Sequence, residues 1–414
     1  MSELVDQATA ARLRTAVIGM GGFANSHLSQ LLQGASRQEL ELVAAIDPDP
    51  SRCEHLAELN ERAVQIHTSL DDYLRGTAAD LVIVSTPIHL HCEHTIKALQ
   101  HGSHVYCEKP AAARIQDAHA MAKARDQSGR RAAIGYQWSY SDPIRQLKKD
   151  IMAGDMGQPR RFRTLVCWPR DASYYGRSSW AGQLQTAAGD WVLDSPVSNA
   201  TSHYLHNSFF VLGDQPHTSA ALADVQAELY RANPITNYDT AALRVHTTAG
   251  VEVLYYATHA VSTATGPTMI YEFDDATVTY GLQAGQPFVA RFSNGETREY
   301  GCPNTGQRYA VCSAAEAIRN NTPLACEIET ATPLTLCVNL AQESAREIVD
   351  FPKSMIRIDS DTALTSVEGL RSALQECYDH GVLPSDTPAV DWAVAGSVLS
   401  AEGYDLFPSR GARN

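Results

Sequence analysis

A strand-like run that ends in a glycine-rich turn constrains this chain more than any other stretch. It reads Leu13-Arg14-Thr15-Ala16-Val17-Ile18 and then Gly19-Met20-Gly21-Gly22-Phe23-Ala24. Ala16, Val17 and Ile18 have the small and β-branched character of a central parallel strand, and Gly19-x-Gly21-x-x-Ala24 fits the G-x-G-x-x-A form of a dinucleotide-binding turn. Each small residue has a physical reason. Gly19 permits the tight turn, Gly21 lets the backbone approach a pyrophosphate, and Ala24 lets the next helix pack closely on the strand. That helix, from about Phe23 to Leu32, points its free N–H groups and positive dipole end at the phosphates. A second apolar run, Leu40 to Ile46, ends in Asp47, near the spacing at which an acid meets the adenosine ribose.

At 414 residues the chain exceeds what one core usually supports, so two domains are expected. The balance of 33 basic against 47 acidic side chains leaves a net charge of −14, which repels polyphosphate backbones and anionic lipid. Nucleic acid and membrane are therefore not expected partners. No run is long and apolar enough to cross a bilayer, and Met1 to Arg12 lack the apolar core of a signal peptide, so a cytoplasmic protein is expected. The nine cysteines contain no C-x-x-C pair, so neither a metal site nor a disulfide framework is indicated.

Strand and helix patterns alternate through the first third of the chain. A helix is expected over Pro50 to Arg62 and a short one at Leu70 to Leu74. A buried strand over Asp80 to Ser85 runs into Thr86-Pro87, a helix spans His91 to Leu99, and His104 to Cys107 forms a strand followed by Glu108-Lys109-Pro110. After a helix over Ile115 to Gln127, Ala132 to Gln137 reads as the last strand. In an open parallel sheet ligands bind beyond the carboxyl ends of the strands, where Gly19 to Ala24, Asp47, Ser85 to Pro87 and Glu108 to Pro110 all fall. From Asp142-Pro143 the pattern changes. Period-two runs at Arg161–Val166, Ala241–His246, Val251–Thr258, Met269–Phe273 and Ala276–Tyr280 predict an antiparallel sheet, with helices on one face and another subunit on the other. Thr332-Pro333 is expected to open a helix towards Ile348, and Thr365-x-x-Glu368 reads as a capping box for the next. The expected division is residues 1–138, 139–381 and a tail at 382–414.

Glu108-Lys109-Pro110, taken with Gly19 to Ala24, Ser85-Thr86-Pro87-x-x-x-His91 and Gly135-Tyr136-Gln137, resembles the signature of the glucose-fructose oxidoreductase and inositol dehydrogenase family (Gfo/Idh/MocA). The resemblance implies a Rossmann domain and a carboxyl-terminal α/β domain with a large open sheet. It further implies NAD or NADP, sugar or polyol substrates, a homodimer or homotetramer, and Lys109 as the active-site lysine. Cofactor contacts would fall on Gly19, Gly21, Gly22, Phe23, Ala24, Asp47, Ser85, Thr86, Pro87, His91, Glu108, Lys109 and Gln137. The family's other signature, an aspartate four residues before a histidine, matches Asn199-Ala200-Thr201-Ser202-His203. Here asparagine replaces the aspartate, and His206 stands where a second aspartate is frequent. Asn199, His203, His206 and Phe210 share one face of a helix, opposite Val197, Thr201, Leu205, Phe209 and Leu212.

Hydride transfer from a secondary alcohol needs a base for the hydroxyl proton and a cation for the growing alkoxide, roles that suit His203 and Lys109. Asn199 is expected to orient the His203 ring without adding charge, with Asp194 as the carboxylate able to fold back. NAD is expected rather than NADP, because Asp47 suits ribose hydroxyls and the four positions after it carry no arginine. Trp168 and Trp180, in a segment also holding Tyr174, Tyr175 and Trp191, offer flat faces for a sugar, or equally a clamp at an interface. Arg170 and Arg177 there can grip an anion or stay solvated. Three functions stay open: a sugar, glycoside or polyol dehydrogenase; a glycoside-cleaving enzyme that oxidises C3 transiently and eliminates the aglycone; and a dinucleotide sensor without turnover.

Overall fold

A computed structural model describes residues 11–305 and 309–409. Six parallel strands, β1 (Leu13–Ile18), β2 (Leu40–Ile46), β3 (Gln65–His67), β4 (Leu81–Val84), β5 (His104–Cys107) and β6 (Ala132–Ile134), lie in the order β3-β2-β1-β4-β5-β6. The four residues of β4 and the last four of β1 are buried, as uninterrupted apolar runs require when helices cover both faces. Strand order reverses between β1 and β4, which opens a crevice at their carboxyl ends. Helix α1 (Ala24–Gln33) starts at the glycine turn.

Three local expectations change here. The helix expected over Pro50 to Arg62 breaks into a short turn at Pro50–Arg52 and a helix at Leu56–Glu61. Edge strand β3 has three residues and no apolar run to announce it. The strand expected to reach Gln137 stops at Ile134, and Gln137–Tyr140 forms a tight 3₁₀ turn that buries Trp138.

The second sheet holds β7 (Pro159–Cys167), β8 (Leu222–Arg231), β9 (Thr240–Thr247), β10 (Glu252–Thr258), β11 (Thr265–Phe273), β12 (Ala276–Tyr280), β13 (Phe288–Phe292), β14 (Thr297–Gly301) and β15 (Val349–Asp350). They run in the order β14-β13-β12-β11-β7-β10-β9-β8-β15 and are mostly antiparallel, although β7 pairs parallel with β10. Val253, Tyr255 and Ala257 of β10 join the main core beneath the helices, while Leu254 and Tyr256 face the opposite way. The helix Leu370–His380 covers that second face with Leu370, Leu374, Cys377 and Tyr378. The chain itself thus supplies the cover expected of another subunit.

Two helix starts also differ. The long helix begins at Ile328, and Pro333 lies inside it. Proline removes one backbone donor, and the Thr332 hydroxyl bonds back to the Ile328 carbonyl at 2.7 Å; burial of Leu334, Val338, Leu340 and Ala341 outweighs the lost bond. Thr365 forms no capping box. It belongs to a small hairpin of β16 (Ile356–Ile358) and β17 (Thr365–Val367), Glu368 pairs with Arg357, and Gly369 at φ 77° opens the helix.

Candidate active site

The cofactor end of the cleft is shaped by backbone. Gly19 has φ +94°, and a Cβ there would stand 2.4 Å from the Ser85 carbonyl oxygen, so β1 and β4 can be this close only with glycine. Gly22, at φ +58°, has no atom within 4 Å of where a Cβ would be, which leaves open space over the start of α1. Asp47 is fixed at the end of β2, its Oδ2 accepting from the Met20 N–H and its Oδ1 from the Asp49 N–H, each at 2.8 Å. A glycine cradle, the amino end of α1 and an acceptor carboxylate fit a dinucleotide: the turn for the pyrophosphate, Asp47 for the ribose hydroxyls. Arg52, five residues after Asp47, packs beside Gly21, with its Cβ 3.5 Å and Nε 3.8 Å from where a Gly21 Cβ would be. Sequence spacing alone missed it, because the turn at Pro50–Arg52 brings it back.

The loops after β4 and β5 are fastened from below. His91, 1% exposed, spans the carbonyls of Pro110 at 2.7 Å and Thr86 at 2.8 Å. It ties the two loops together instead of facing the cleft. Glu108 accepts from His27 Nε2 at 3.0 Å, and the other ring nitrogen of His27 meets the Tyr309 hydroxyl. Burial alone would raise the Glu108 pKa, but the His27 hydrogen bond and charge, with the Lys109 cation, outweigh it and the net shift is downward. Gly135 passes against this carboxylate: a Cβ would be 3.1 Å from Glu108 Oε1. Sequence reasoning did not connect His27 or Tyr309 to the site, since the link spans |i−j| = 282.

Lys109 points from the β5 end, across a cis bond to Pro110, to the start of the helix Ser202–Val211. Its Nζ donates to Asn199 Oδ1 at 2.7 Å and to the Asn199 carbonyl at 2.8 Å. Pro196–Ala200 forms one wide π-type turn, with Thr201 N–H donating to the Pro196 carbonyl at 2.8 Å, which leaves the Asn199 carbonyl facing the lysine. Asn199 Nδ2 donates to Asp194 Oδ1 at 2.7 Å; Asp194, 2% exposed, also accepts from the Gly182 N–H at 2.7 Å and from Arg177 at 3.3 Å. Burial lowers the Lys109 pKa, opposed by the Glu108 and Asp194 carboxylates and reinforced by Arg177.

His203 follows one turn later. Burial, then the Lys109 cation and His206, hold its pKa well below the usual histidine range, so the ring is neutral. Its Nδ1 is buried without a partner among the described residues. Asn199 therefore does not orient this ring, contrary to the sequence expectation: its amide is engaged by Lys109 and Asp194. The Tyr136 ring packs edge-on to His203 at 5.9 Å instead. His206 is 1% exposed, stacked on Tyr136 at 4.0 Å and bonded to Ser139 at 3.0 Å, with a pKa pushed down to about 3 by burial and then Lys148. It supports the site from within the core and is not brought into the cleft. The helix has no solvent face, because both of its sides are buried.

The aromatic segment divides. Trp168 meets Tyr204 at 5.5 Å and donates from Nε1 to the Gly266 carbonyl. Trp180 packs on Ile88, Ala113 and Val192, beneath the Arg177 guanidinium at 5.3 Å. Trp191 packs on the same cluster and meets Phe407 of the carboxyl-terminal segment at 5.1 Å. Ser85, Thr86 and Pro87 follow β4, with Ser85 and Thr86 against Gly19, while Gln137 opens the 3₁₀ turn three residues after β6. Phe23 is 60% exposed at the start of α1. Cys107 is buried within the first sheet, and all nine cysteines are free.

This arrangement defines an NAD-binding Rossmann protein whose half-buried lysine, after β5, faces Asn199 of the second, mixed-sheet domain. Residues 13–136 match the family described as "Oxidoreductase family, NAD-binding Rossmann fold". Over those residues the chain is similar to the Gfo/Idh/MocA family, in line with the resemblance carried by Gly19 to Ala24 and Glu108-Lys109-Pro110. It is 32% identical over 151 residues to D-glucoside 3-dehydrogenase of Escherichia coli, covering 36% of this chain and 42% of that protein. It is 26% identical over 230 residues to inositol 2-dehydrogenase of Klebsiella pneumoniae, covering 52% and 62%. The chain thus spans about half the length of these curated relatives. The fold matches the WlbA dehydrogenase from Bordetella pertussis, solved in complex with NADH and UDP-GlcNAcA, with a TM-score of 0.67 at 22% identity, over 81% of this chain and 97% of that one. No helix among the described residues is long and apolar enough to cross a membrane.

Proposed function

We propose that the protein transfers a hydride between a secondary hydroxyl of a sugar, glycoside or polyol and NAD. The observation that carries this reading is the lysine at the cofactor end of the cleft, held by Asn199 and backed by a buried carboxylate. The dinucleotide supplies the hydride acceptor. The protein's own residues do the rest. Neutral His203 takes the proton of the substrate hydroxyl, while the Lys109 cation, whose two hydrogen bonds to Asn199 aim it, stabilises the oxygen as negative charge develops. Asp194 balances the lysine charge through Asn199 without touching it, so the cation is kept without a tight ion pair that would hold it from the substrate. Trp168 and Trp180 give the sugar flat apolar faces. The named relatives, a glucoside dehydrogenase and an inositol dehydrogenase, support this class of substrate. We place the protein in a homo-oligomer of two or four chains on the same resemblance.

The test is a screen of glycosides and polyols with NAD that follows NADH and released aglycone together. Stoichiometric NADH supports the dehydrogenase; aglycone release without NADH would replace it with cleavage by transient oxidation. Binding of NAD with neither product from any substrate would leave a sensor.

A further inference from the structure

The segment after β7 holds a cation that the hydride chemistry does not use. Arg170 and Arg177 both lie against the Tyr174 ring, their guanidinium carbons 4.7 and 3.7 Å from its centroid, and Arg170 is 5.8 Å from Trp168. Arg177 is compensated by Asp194. Arg170 has no carboxylate partner among the described residues, and its Nε is buried without an acceptor. The neighbouring acids are all engaged: Asp171 caps the Tyr174 N–H and holds Ser173, while buried Asp239 accepts from the Ala232 and Asn233 N–H groups. A second buried polar atom beside Arg170, His259 Nε2, also lacks a partner, and the Arg170 N–H donates to the His259 carbonyl at 3.2 Å. His259 is 1% exposed and its Nδ1 donates to the Trp168 carbonyl at 2.8 Å, which leaves Nε2 as a free acceptor for a hydroxyl. Buried polar groups are normally satisfied, so such a cluster marks where a polar ligand completes the set. The cluster is continuous with the reacting end, from Lys109 through Asn199 and Asp194 to Arg177 and Tyr174.

We propose that Arg170, framed by Trp168 and Tyr174, binds the carboxylate of a sugar acid whose secondary hydroxyl lies at Lys109 and His203. This rests on the hydride-transfer reading and narrows its substrate class. A guanidinium fork matches a carboxylate in two parallel hydrogen bonds. Asp194 is shared between Arg177 and, through Asn199, Lys109, which leaves Arg170 as the guanidinium of this segment with no carboxylate in contact among the described residues.

The experiment compares kcat/KM, with NAD, for carboxylated and neutral pairs: methyl glucuronide against methyl glucoside, with the galacto and manno pairs, and glucose 6-phosphate as a third arm. The wild-type protein should favour the carboxylate by about tenfold or more in at least one pair, less so as salt is added. Arg170→Met should lower kcat/KM for the carboxylated member about tenfold more than for its neutral partner, chiefly through KM, and Arg170→Lys should recover part of that difference. Equal or better use of every neutral partner, preference for the phosphate, or equal losses in both members of the pair would overturn the proposal. Calorimetry of glucuronate and galacturonate with the NAD-loaded protein separates the two readings. Binding that depends on Arg170 without any hydride transfer retains the subsite and rejects the dehydrogenase, whereas binding indifferent to Arg170 rejects the subsite.

Discussion

At the dinucleotide end of the cleft, position is set by backbone: Gly19 lies under the Ser85 carbonyl, and the amino end of α1 follows directly. At the reacting end it is set by side chains from distant segments, with Lys109 after β5 held by Asn199 and Asn199 held by Asp194, upstream of the helix. The first kind of site tolerates almost no added atom but needs few specific side chains. The second tolerates small changes of shape but depends on charge, because Lys109, Asn199 and Asp194 are each held by the next.

The sharpest break of this comparison is at Gly19. Gly19→Val would press a branched side chain on a carbonyl 2.4 Å from its Cβ at φ +94°, so NAD affinity should fall by about 10²-fold or more, or the first domain should fail to fold. Gly22→Ala meets nothing within 4 Å and should cost only about 1 kcal/mol from its φ of +58°. Fluorescence titration with NADH and thermal melting distinguish the two; equal effects would mean that the close strand approach does not shape the site.

At the reacting end, Lys109→Ala should lower hydride transfer by about 10² or more while NADH binding stays detectable, since a preorganised cation is lost from the oxygen and the cofactor is held elsewhere. A near-normal kcat in single-turnover measurements would make Lys109 a structural lysine.

The pH profile sharpens the same contrast. The proposed hydride transfer requires His203 neutral and Lys109 charged. Both have lowered pKa values, so the acidic limb of kcat/KM should lie below the usual histidine value of about 6.5 and the basic limb below the usual lysine value of about 10.4. Asn199→Asp would put a carboxylate at the lysine, favour its cation and move the basic limb to higher pH. Asp194→Asn removes a charge that favours the cation and should move that limb lower, each by about one unit, or 1.4 kcal/mol. Movement of the acidic limb alone in Asn199→Asp would show that Asn199 tunes His203 after all.

The smallest effect belongs to the ribose. Asp47 repels a 2′-phosphate while Arg52 lies beside the turn, so Asp47→Ala should raise NADP use relative to NAD by about tenfold, and adding Arg52→Ala should remove the gain. Equal NAD and NADP turnover in the unaltered protein would place the ribose away from Asp47.

Much of the first sheet was legible because its signals are local: an apolar run, a glycine turn and a helix start within a dozen residues. The second sheet was half legible. β9 to β12 alternate clearly, whereas β8, β13 and β14 lack a clean period and are held by their neighbours. The Thr365 capping box failed because the residues suit a cap but pair as a strand with β16.

By itself the sequence determined the dinucleotide cradle, since only small residues at Gly19, Gly21 and Ala24 allow strand, phosphate and helix to approach so closely. It also placed Lys109 at a strand end and His203 four residues after Asn199, although Asn199 lies in the π-type turn before the helix and not, as expected, on the helix that carries His203. Tertiary structure alone decided what these groups do to one another. Asn199 serves Lys109 and not His203, His206 supports instead of facing the cleft, and Arg52, His27 and Tyr309 join the site, because hydrogen bonds across long separations depend on how whole elements pack and not on local spacing.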